Sequence, residues 1–134
     1  MDVEEARKKI EVFYKRISDV VKFCLKNLRG EYLAMSLTNA SCIYALARDI
    51  KSLNECVDRI KDIKYQDDYE RTLAHAAGGY AEVDRVDEIL RELEKSNYYV
   101  GAIYNVISAH ARNKRFEKVE SYLKILEDRF RGTS

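Results

Sequence analysis

The sequence predicts an all-α fold in which antiparallel helix pairs stack on one another behind a long N-terminal helix. Residues 102–126 read as two amphipathic helices separated by a short polar break, and weaker copies of this stretch lie upstream. The chain has no proline and only five glycines, so few residues interrupt a helix. Its 134 residues suffice for one domain with its own core. We therefore assign residues 1–134 to a single helical-repeat domain.

The N-terminal segment, residues 1–30, carries apolar residues at alternating spacings of three and four, which is typical of a heptad-like helical seam. The seam consists of Val3, Ala6, Ile10, Phe13, Ile17, Val20, Cys24 and Leu28. The pattern fits one helix that stops at Gly30, or two helices that meet near Ser18. Val21, Phe23 and Leu25 add apolar surface beyond the seam, which also suits a contact between copies of the chain.

Residues 31–64, 65–97 and 98–130 each predict a first and a second helix joined by a short turn. The second helices share an apolar face whose residues are spaced three and four apart. These faces are Phe116, Val119, Leu123 and Leu126; Val83, Val86, Leu90 and Leu93, shifted by 33 residues; and Leu53, Cys56, Ile60 and Ile63, shifted by a further 30. In this register Leu90 and Leu123 are equivalent positions, and we expect both to be buried.

Caps and breaks mark where these helices begin and end. Ser52 and Asp67 each precede a glutamate by three residues, the capping-box spacing, and so should begin two helices. The polar residues 112–115 separate the two helices of the last pair. The glycine pair 78–79 either ends the first helix of the middle pair or lets a neighbouring helix come close.

The residues 103–126, IYNVISAHARNKRFEKVESYLKIL, resemble the pentatricopeptide pattern of Tyr-Asn, Leu-Ile-Ser-Ala-Tyr, a turn glycine, Glu-Glu-Ala and a leucine-rich close. Residues 81–93 resemble the second helix of the same repeat, and the period of about 33 to 35 residues belongs to this tetratricopeptide and pentatricopeptide superfamily. The resemblance covers roughly residues 36–130 and implies a short right-handed solenoid. The sequence departs from the pattern at the turn glycine, where Lys114 and Ala81 stand instead.

Solenoids of helix pairs bind partners along the face lined by their first helices. We therefore predict a non-enzymatic interaction module that binds a peptide or protein in such a groove, through exposed polar residues whose replacement costs little stability. The residues assigned to the groove are Thr72, His75, Asn105, Ser108 and Arg112. Within the resemblance, Asn105 and Thr72 match the base-reading position of pentatricopeptide repeats, so the alternative is a small single-stranded RNA binder.

Charge is unevenly distributed although the chain's net charge is +1. Residues 1–30 carry a net charge of +3, residues 65–97 of −5, and residues 98–134 of +3. A phosphate chain that follows the groove would cross the acidic middle, which disfavours RNA. Opposite charges at the middle and the ends suit head-to-tail association, as in a homo-oligomer or an oligomeric structural protein, or a basic partner on the middle repeat.

The sequence offers no recognisable catalytic chemistry. It contains no phosphate-binding glycine loop, no HExxH and no CxxC, and its three cysteines lack metal-ligand spacing. His75 and His110 lie on different predicted helices, and His110 takes the place of a packing aromatic. We expect no enzyme activity, cofactor or metal. No apolar run approaches the roughly 20 residues that span a bilayer, and the polar start is unlike a secretory signal, so we expect a cytoplasmic protein.

Overall fold

The computed structural model describes residues 2–132, and this part of the chain is all-α, as the sequence predicts. Eight α-helices and one short 3₁₀ turn follow one another, with no strand among these residues. They are α1 Val3–Asn27, α2 Gly30–Ala47, α3 Ile50–Arg59, the 3₁₀ turn Ile60–Asp62, α4 Gln66–His75, α5 Ala77–Glu82, α6 Val86–Leu93, α7 Tyr99–Arg112 and α8 Phe116–Arg131. None of the helices in residues 2–132 combines the length and apolarity needed to cross a bilayer.

The first helices are α2, then α4 with α5, and then α7; the second helices are α3, α6 and α8. The first helices lie against one another, because α2 contacts α4 and α5, and both of these contact α7. Each second helix packs on the first helix before it. The core lies between the two sets and is formed by their apolar faces, with Leu37, Leu53, Ile89 and Ile103 fully buried.

The N-terminal segment forms one helix, α1, which resolves the two alternatives left open by the sequence. Asp2 caps it by accepting a hydrogen bond from the Glu5 N–H at 2.8 Å, and the helix ends at Asn27 rather than Gly30. Four of the eight predicted seam residues are exposed, Phe13 by 65% and Val20 by 63%, and the other four are partly buried. The residues that face the core are instead Tyr14, Ser18, Val21 and Leu25. Half of the seam stays in solvent because α1 packs chiefly on α2, which covers only one narrow face.

The start of α3 shows how α1 is held in place. Asp49, not Ser52, is the N-cap of α3, and its carboxylate accepts hydrogen bonds from the Ser52 N–H at 3.2 Å and the Ser52 hydroxyl at 2.9 Å. The Tyr14 hydroxyl of α1 donates to the same carboxylate at 2.9 Å. The predicted cap at Asp67 is also wrong, because α4 begins at Gln66 and Asp67 lies in its first turn.

Three turns between first and second helices are built alike. Arg48, Asp84 and Lys114 have φ of 58°, 56° and 58°, the left-handed conformation that non-glycine residues rarely adopt. Each turn closes with two backbone hydrogen bonds in the Schellman pattern. These bonds are Arg48 N to Ala45 O and Asp49 N to Tyr44 O, Asp84 N to Ala81 O and Arg85 N to Tyr80 O, and Lys114 N to Ala111 O and Arg115 N to His110 O, all 2.8–3.3 Å long.

The turns correct the predicted register between the pairs. The left-handed residues at 48, 84 and 114 lie 36 and 30 residues apart, not 30 and 33. Lys114 lies at the turn of the last pair, but its counterpart in the middle pair is Asp84 rather than Ala81. Counted back from Lys114, the predicted turns fall at residues 81 and 51, each three residues from the observed turn, and residues three apart are neighbours on a helix surface.

The residue that follows each left-handed turn binds backwards to an earlier helix. Its side chain forms a hydrogen bond or an ion pair with a residue of the preceding unit, so the three turns also join neighbouring units. These links are Asp49 to Tyr14 of α1 at 2.9 Å, Arg85 to Asp58 of α3 at 2.8 Å, and Arg115 to Glu82 of α5 at 3.1 Å.

The expectation that Leu90 and Leu123 are equivalent buried residues is wrong. Leu123 is 48% accessible and Leu90 only partly buried, whereas Ile89 and Leu93 are the fully buried residues of α6. In α8 only Leu126 is buried. This helix is the last one described and has a neighbour on one side only, α7, so most of its apolar face lies open.

The glycine pair in the middle first helix allows close packing and does not end the helix. The helix is broken earlier, at Ala76, and continues as α5 through both glycines. A Cβ atom on Gly79 would lie 2.9 Å from Cδ1 of Leu53 in α3, closer than real Cβ contacts. A Cβ on Gly78 would meet Asn105 and Ala109 of α7 at 3.6–3.7 Å, an ordinary contact distance.

The two glycines therefore predict opposite effects of the same substitution. Gly79→Ala should destabilise the fold by about 1–3 kcal/mol, because the fully buried Leu53 must shift to admit the methyl group. Gly78→Ala should be neutral or stabilising by up to about 1 kcal/mol, since alanine favours the helix. Urea denaturation followed by circular dichroism measures both. Equal effects at the two positions would show that α5 does not pack as closely on α3 as described.

Candidate functional site

The first helices line a groove made of two adjoining cavities, here called the first-helix groove. One cavity, of about 300 Å³, lies between α2, the α4–α5 junction and α7. The other, of about 420 Å³, lies between α2 and α4, and His75 lines both. Their walls include Glu31, Met35, Thr38, Asn39 and Arg71 in the larger cavity, and Ser41, Cys42, Ala45, Leu46, Ala76, Gly78, Gly79, Asn105, Ser108 and Arg112 in the smaller one.

Four of the five residues assigned from the sequence line the smaller cavity: His75, Asn105, Ser108 and Arg112. Thr72 lies apart from them, on the wall of the larger cavity. Its side chain is only 2% accessible, so it forms part of the floor and offers no exposed hydroxyl. The stripe misplaced Thr72 because the last two turns lie 30 rather than 33 residues apart: Asn105 corresponds to His75, and Thr72 corresponds to the buried Ala102.

Asn105 has a structural role within the groove. Its side-chain amide donates a hydrogen bond to the carbonyl oxygen of Ala74 at 2.7 Å, and the residue is half-buried. Ala74 lies in the last turn of α4, just before the break at Ala76, so this bond ties α7 to α4 where the first helix is interrupted. The expectation that Asn105 is a freely exposed polar residue is therefore wrong.

The exposed polar residues of the smaller cavity are Ser108 and Arg112 on the α7 side and His75 on the α4 side. Among residues 2–132, no side chain forms an ion pair with Arg112. The guanidinium of Arg71, in the larger cavity, pairs with Asp68 one turn earlier. An unpaired guanidinium at the rim can therefore bind an anionic group of a ligand in two parallel hydrogen bonds.

Sequence reasoning missed the two apolar residues of the groove. Met35 and Leu46 of α2 are 60% and 73% accessible, and each lines one of the two cavities. Helix α2 is apolar on nearly all sides, so its hydrophobic periodicity did not indicate which residues face the groove. Large exposed apolar side chains beside a cavity suggest contact with an apolar group of a ligand.

A third cavity lies outside the groove, between α1 and α3, and has a volume of about 540 Å³. Leu25, Tyr44 and Cys56 line it, together with charged residues of both signs. Burial raises the pKa of the Cys56 thiol to about 12, so the sulfur stays protonated and is a poor nucleophile. No group of three or more His, Cys, Asp or Glu side chains that could hold a metal ion occurs within residues 2–132.

His110 is buried behind the groove and packs as an aromatic residue. Its ring stacks on Tyr122 with the centroids 5.6 Å apart, and its Nδ1 accepts a hydrogen bond from Arg115 Nε at 2.8 Å. This bond requires a neutral ring that carries its proton on Nε2, an atom without a partner among the described residues. Burial, followed by the charges of Arg115 and Lys118, lowers the pKa of His110 from the ordinary value of 6.5.

Comparisons with known proteins leave the function to be inferred from this geometry. No protein-family model, no curated protein and no solved structure matches the chain. The likeness of residues 103–126 to pentatricopeptide repeats therefore stays a prediction from the sequence. The arguments for a function come from the residues of the first-helix groove and from their chemistry.

The role of Asn105 predicts a loss of stability that its neighbour Ser108 should not share. Asn105→Ala should lower the free energy of unfolding by about 1–2 kcal/mol, because the carbonyl of the buried residue Ala74 loses this side-chain donor. Ser108 is exposed in the same cavity, so Ser108→Ala should change it by less than about 0.5 kcal/mol. Denaturant titration of both variants gives the comparison. Equal losses would mean that the hydrogen bond to Ala74 contributes nothing.

The low pKa of His110 predicts that the fold loses stability in mild acid. Above the ordinary pKa of histidine the ring is neutral in both states; as the pH falls through that value, only the unfolded chain takes up the proton. Stability should therefore fall between pH 7.5 and 5.5. His110→Phe keeps the stacking on Tyr122 and should make this fall smaller. Thermal melts across that pH range test it, and an identical fall in both proteins would contradict it.

Proposed function

We propose that this chain is a non-enzymatic helical-repeat module, a short right-handed tetratricopeptide-like or pentatricopeptide-like solenoid that binds a peptide or protein in the first-helix groove. Three observations support the repeat. The three left-handed turns share one hydrogen-bond pattern, the first helices contact one another in order, and the residue after each turn links its unit to the one before. Such stacking of equivalent helix pairs is the organisation of a solenoid.

The observation that carries the proposal is the pairing of chemical groups across the groove. The floor of the groove is made of small residues, among them Ala76, Gly78 and Gly79, so the backbone of a bound peptide can approach it closely. The exposed Leu46 lies on the α2 wall, and Arg112, which has no ion pair among the described residues, lies on the α7 wall. These groups suit a peptide with an apolar side chain for Leu46 and a carboxylate for Arg112, the latter from Asp, Glu or a C-terminus.

RNA is the less suitable ligand on the same observations. Proteins that bind single-stranded RNA stack its bases on exposed aromatic side chains, and the walls of the two cavities contain no Phe, Tyr or Trp; the imidazole of His75 is the one aromatic ring there. Asn105 already donates to Ala74, and Thr72 is buried, so neither matched base-reading residue is available. Charge is a weaker argument than the sequence suggested, because much of the acidic excess of residues 65–97 lies in or beside the second helix α6. Those acidic residues are Asp87, Glu88, Glu92 and Glu94.

The proposal predicts which substitutions should abolish binding. A library of short peptides of defined sequence, displayed singly, should yield ligands enriched in an acidic residue near an apolar one. For such a ligand Arg112→Ala and Leu46→Ala should each raise Kd at least tenfold, about 1.4 kcal/mol, while Lys124→Ala, an exposed site on α8, should leave it unchanged. Isothermal titration calorimetry measures the three variants against the native chain.

Two results would contradict the proposal. Ligands that lose no affinity in the Arg112 and Leu46 variants would bind elsewhere than in the groove. Tight binding of oligouridine, weakening steeply with salt as counterions are released, would favour the RNA alternative.

A further inference from the structure

Both end helices of the array leave an apolar stripe in solvent. On α1, Ile10, Phe13 and Val20 are 67%, 65% and 63% accessible. On α8, Phe116 and Leu123 are 63% and 48% accessible. In α1, Phe13 and Val20 are seven residues apart, as are Phe116 and Leu123 in α8, so each stripe runs along one side of its helix. Exposed apolar stripes of this kind mark surfaces that contact a partner.

The charged residues on the solvent-facing flank of the α1 stripe have the same sign. If Ile10 and Ile17 occupy heptad position a, and Phe13 and Val20 position d, the two flanks of the seam are positions e and g. Position e holds Tyr14 and Val21, which pack on the chain's own core. Position g holds Lys9 and Arg16, both exposed. The solvent-facing flank of α1 is therefore basic.

The stripe on α8 has the opposite arrangement. With Phe116 and Leu123 at position a, position g holds Tyr122, stacked on His110, and Arg129, which lies over the Tyr99 ring at 4.3 Å. Position g therefore faces the chain's own core. Position e holds Glu120 and Glu127, both exposed; Glu127 also pairs with Arg131 at 2.7 Å. The solvent-facing flank of α8 is acidic.

These flanks disfavour symmetric contacts between two copies. Two antiparallel α1 helices related by a two-fold axis would place each basic flank opposite the other, so that Lys9 would meet Arg16 of the second copy. Two antiparallel α8 helices would likewise place Glu120 opposite Glu127. Directly opposed like charges raise the energy of a contact. Two parallel α1 helices would instead place the basic position g of one helix against position e of the other, the flank that packs on its own α2.

We propose that α1 of one copy packs parallel to α8 of a second copy, in a head-to-tail contact between chains. In a parallel helix pair, position g of one helix faces position e of the other. With Ile10 opposite Phe116 of the second copy and Ile17 opposite its Leu123, Lys9 faces Glu120 and Arg16 faces Glu127. This pairing brings opposite charges together on the solvent-facing flank. It also places the core-facing flanks of both helices on the same side.

The geometry of this contact extends the array. Within one chain, α1 is antiparallel to α2, and α8 is antiparallel to α7. When α1 of one copy lies parallel to α8 of the next, α2 of the first copy therefore lies beside and parallel to α7 of the next. The layer of first helices then continues from copy to copy. The contact is heterologous and need not close, so assembly should grow with concentration. It covers at most the 16 residues of α8, about 24 Å, and is therefore a weak interface.

Reversing the charges on the flank of α1 or on the flank of α8 tests the contact. Light scattering combined with gel filtration should show the native chain rising above its 15.6 kDa mass as its concentration increases from about 10 μM to about 1 mM. Lys9→Glu with Arg16→Glu should weaken this association at least tenfold, and so should Glu120→Lys with Glu127→Lys. An equimolar mixture of the two double variants should associate again, because each then meets the opposite charge on the other.

Controls separate this contact from other causes. Lys51→Glu with Lys95→Glu makes the same change in net charge as the Lys9 and Arg16 double variant, at exposed positions away from both stripes, and should leave association unchanged. Recovery in the mixture also shows that both variants are folded. The proposal is overturned if the native chain keeps a mass of 15.6 kDa throughout, if either exchange leaves association unchanged, or if the mixture stays monomeric.

Discussion

The left-handed turn after each first helix is the constraint on which the arrangement depends. Arg48, Asp84 and Lys114 adopt a conformation that costs a residue with a side chain roughly 1–2 kcal/mol. Two backbone hydrogen bonds per turn offset that cost and fix the angle at which the chain reverses. Because Arg85 and Arg115, which follow two of these turns, bind acidic residues of the preceding unit, the turns also set the spacing of neighbouring pairs. One local conformation thus determines both the pair and the stack.

The sequence was sufficient to predict which segments are helical, but not which faces of the helices are covered by other helices. Apolar spacing predicted that the N-terminal segment is helical, as one helix or two, and predicted the break at residues 112–115, because periodicity is a local property. It did not indicate that Phe13, Val20 and Leu123 lie in solvent, since the same spacing serves a core and an uncovered face. The register failed for a related reason: Arg48 and Asp84 hold the left-handed positions of their turns without a glycine that would mark them in the sequence.

The groove residues were likewise predicted where a local pattern decides their position and missed where tertiary contacts decide it. Three of the polar residues assigned from the first helices, His75, Ser108 and Arg112, line one cavity. The same rule could not foresee that Asn105 donates to a backbone carbonyl, because that bond depends on the break at Ala76 in another helix. With Asn105 so used and Thr72 buried, the groups free to select a ligand are few. Selection then depends on an apolar contact and one cation, which discriminates by charge and size more than by a pattern of hydrogen bonds.

The groove and the two end stripes belong to different faces, and this separates ligand binding from association. The groove lies on first helices, whereas the stripes lie on α1 and α8, the outermost helices of the array. A change of charge at Lys9 or Glu120 therefore leaves the groove residues in place, and Arg112→Ala leaves the stripes intact. If copies stack with α2 beside α7 of the next, however, Leu46 of one copy and Arg112 of the next come to lie on adjoining helices. A peptide long enough to reach both would then bind more tightly to the stack, and by linkage would promote stacking.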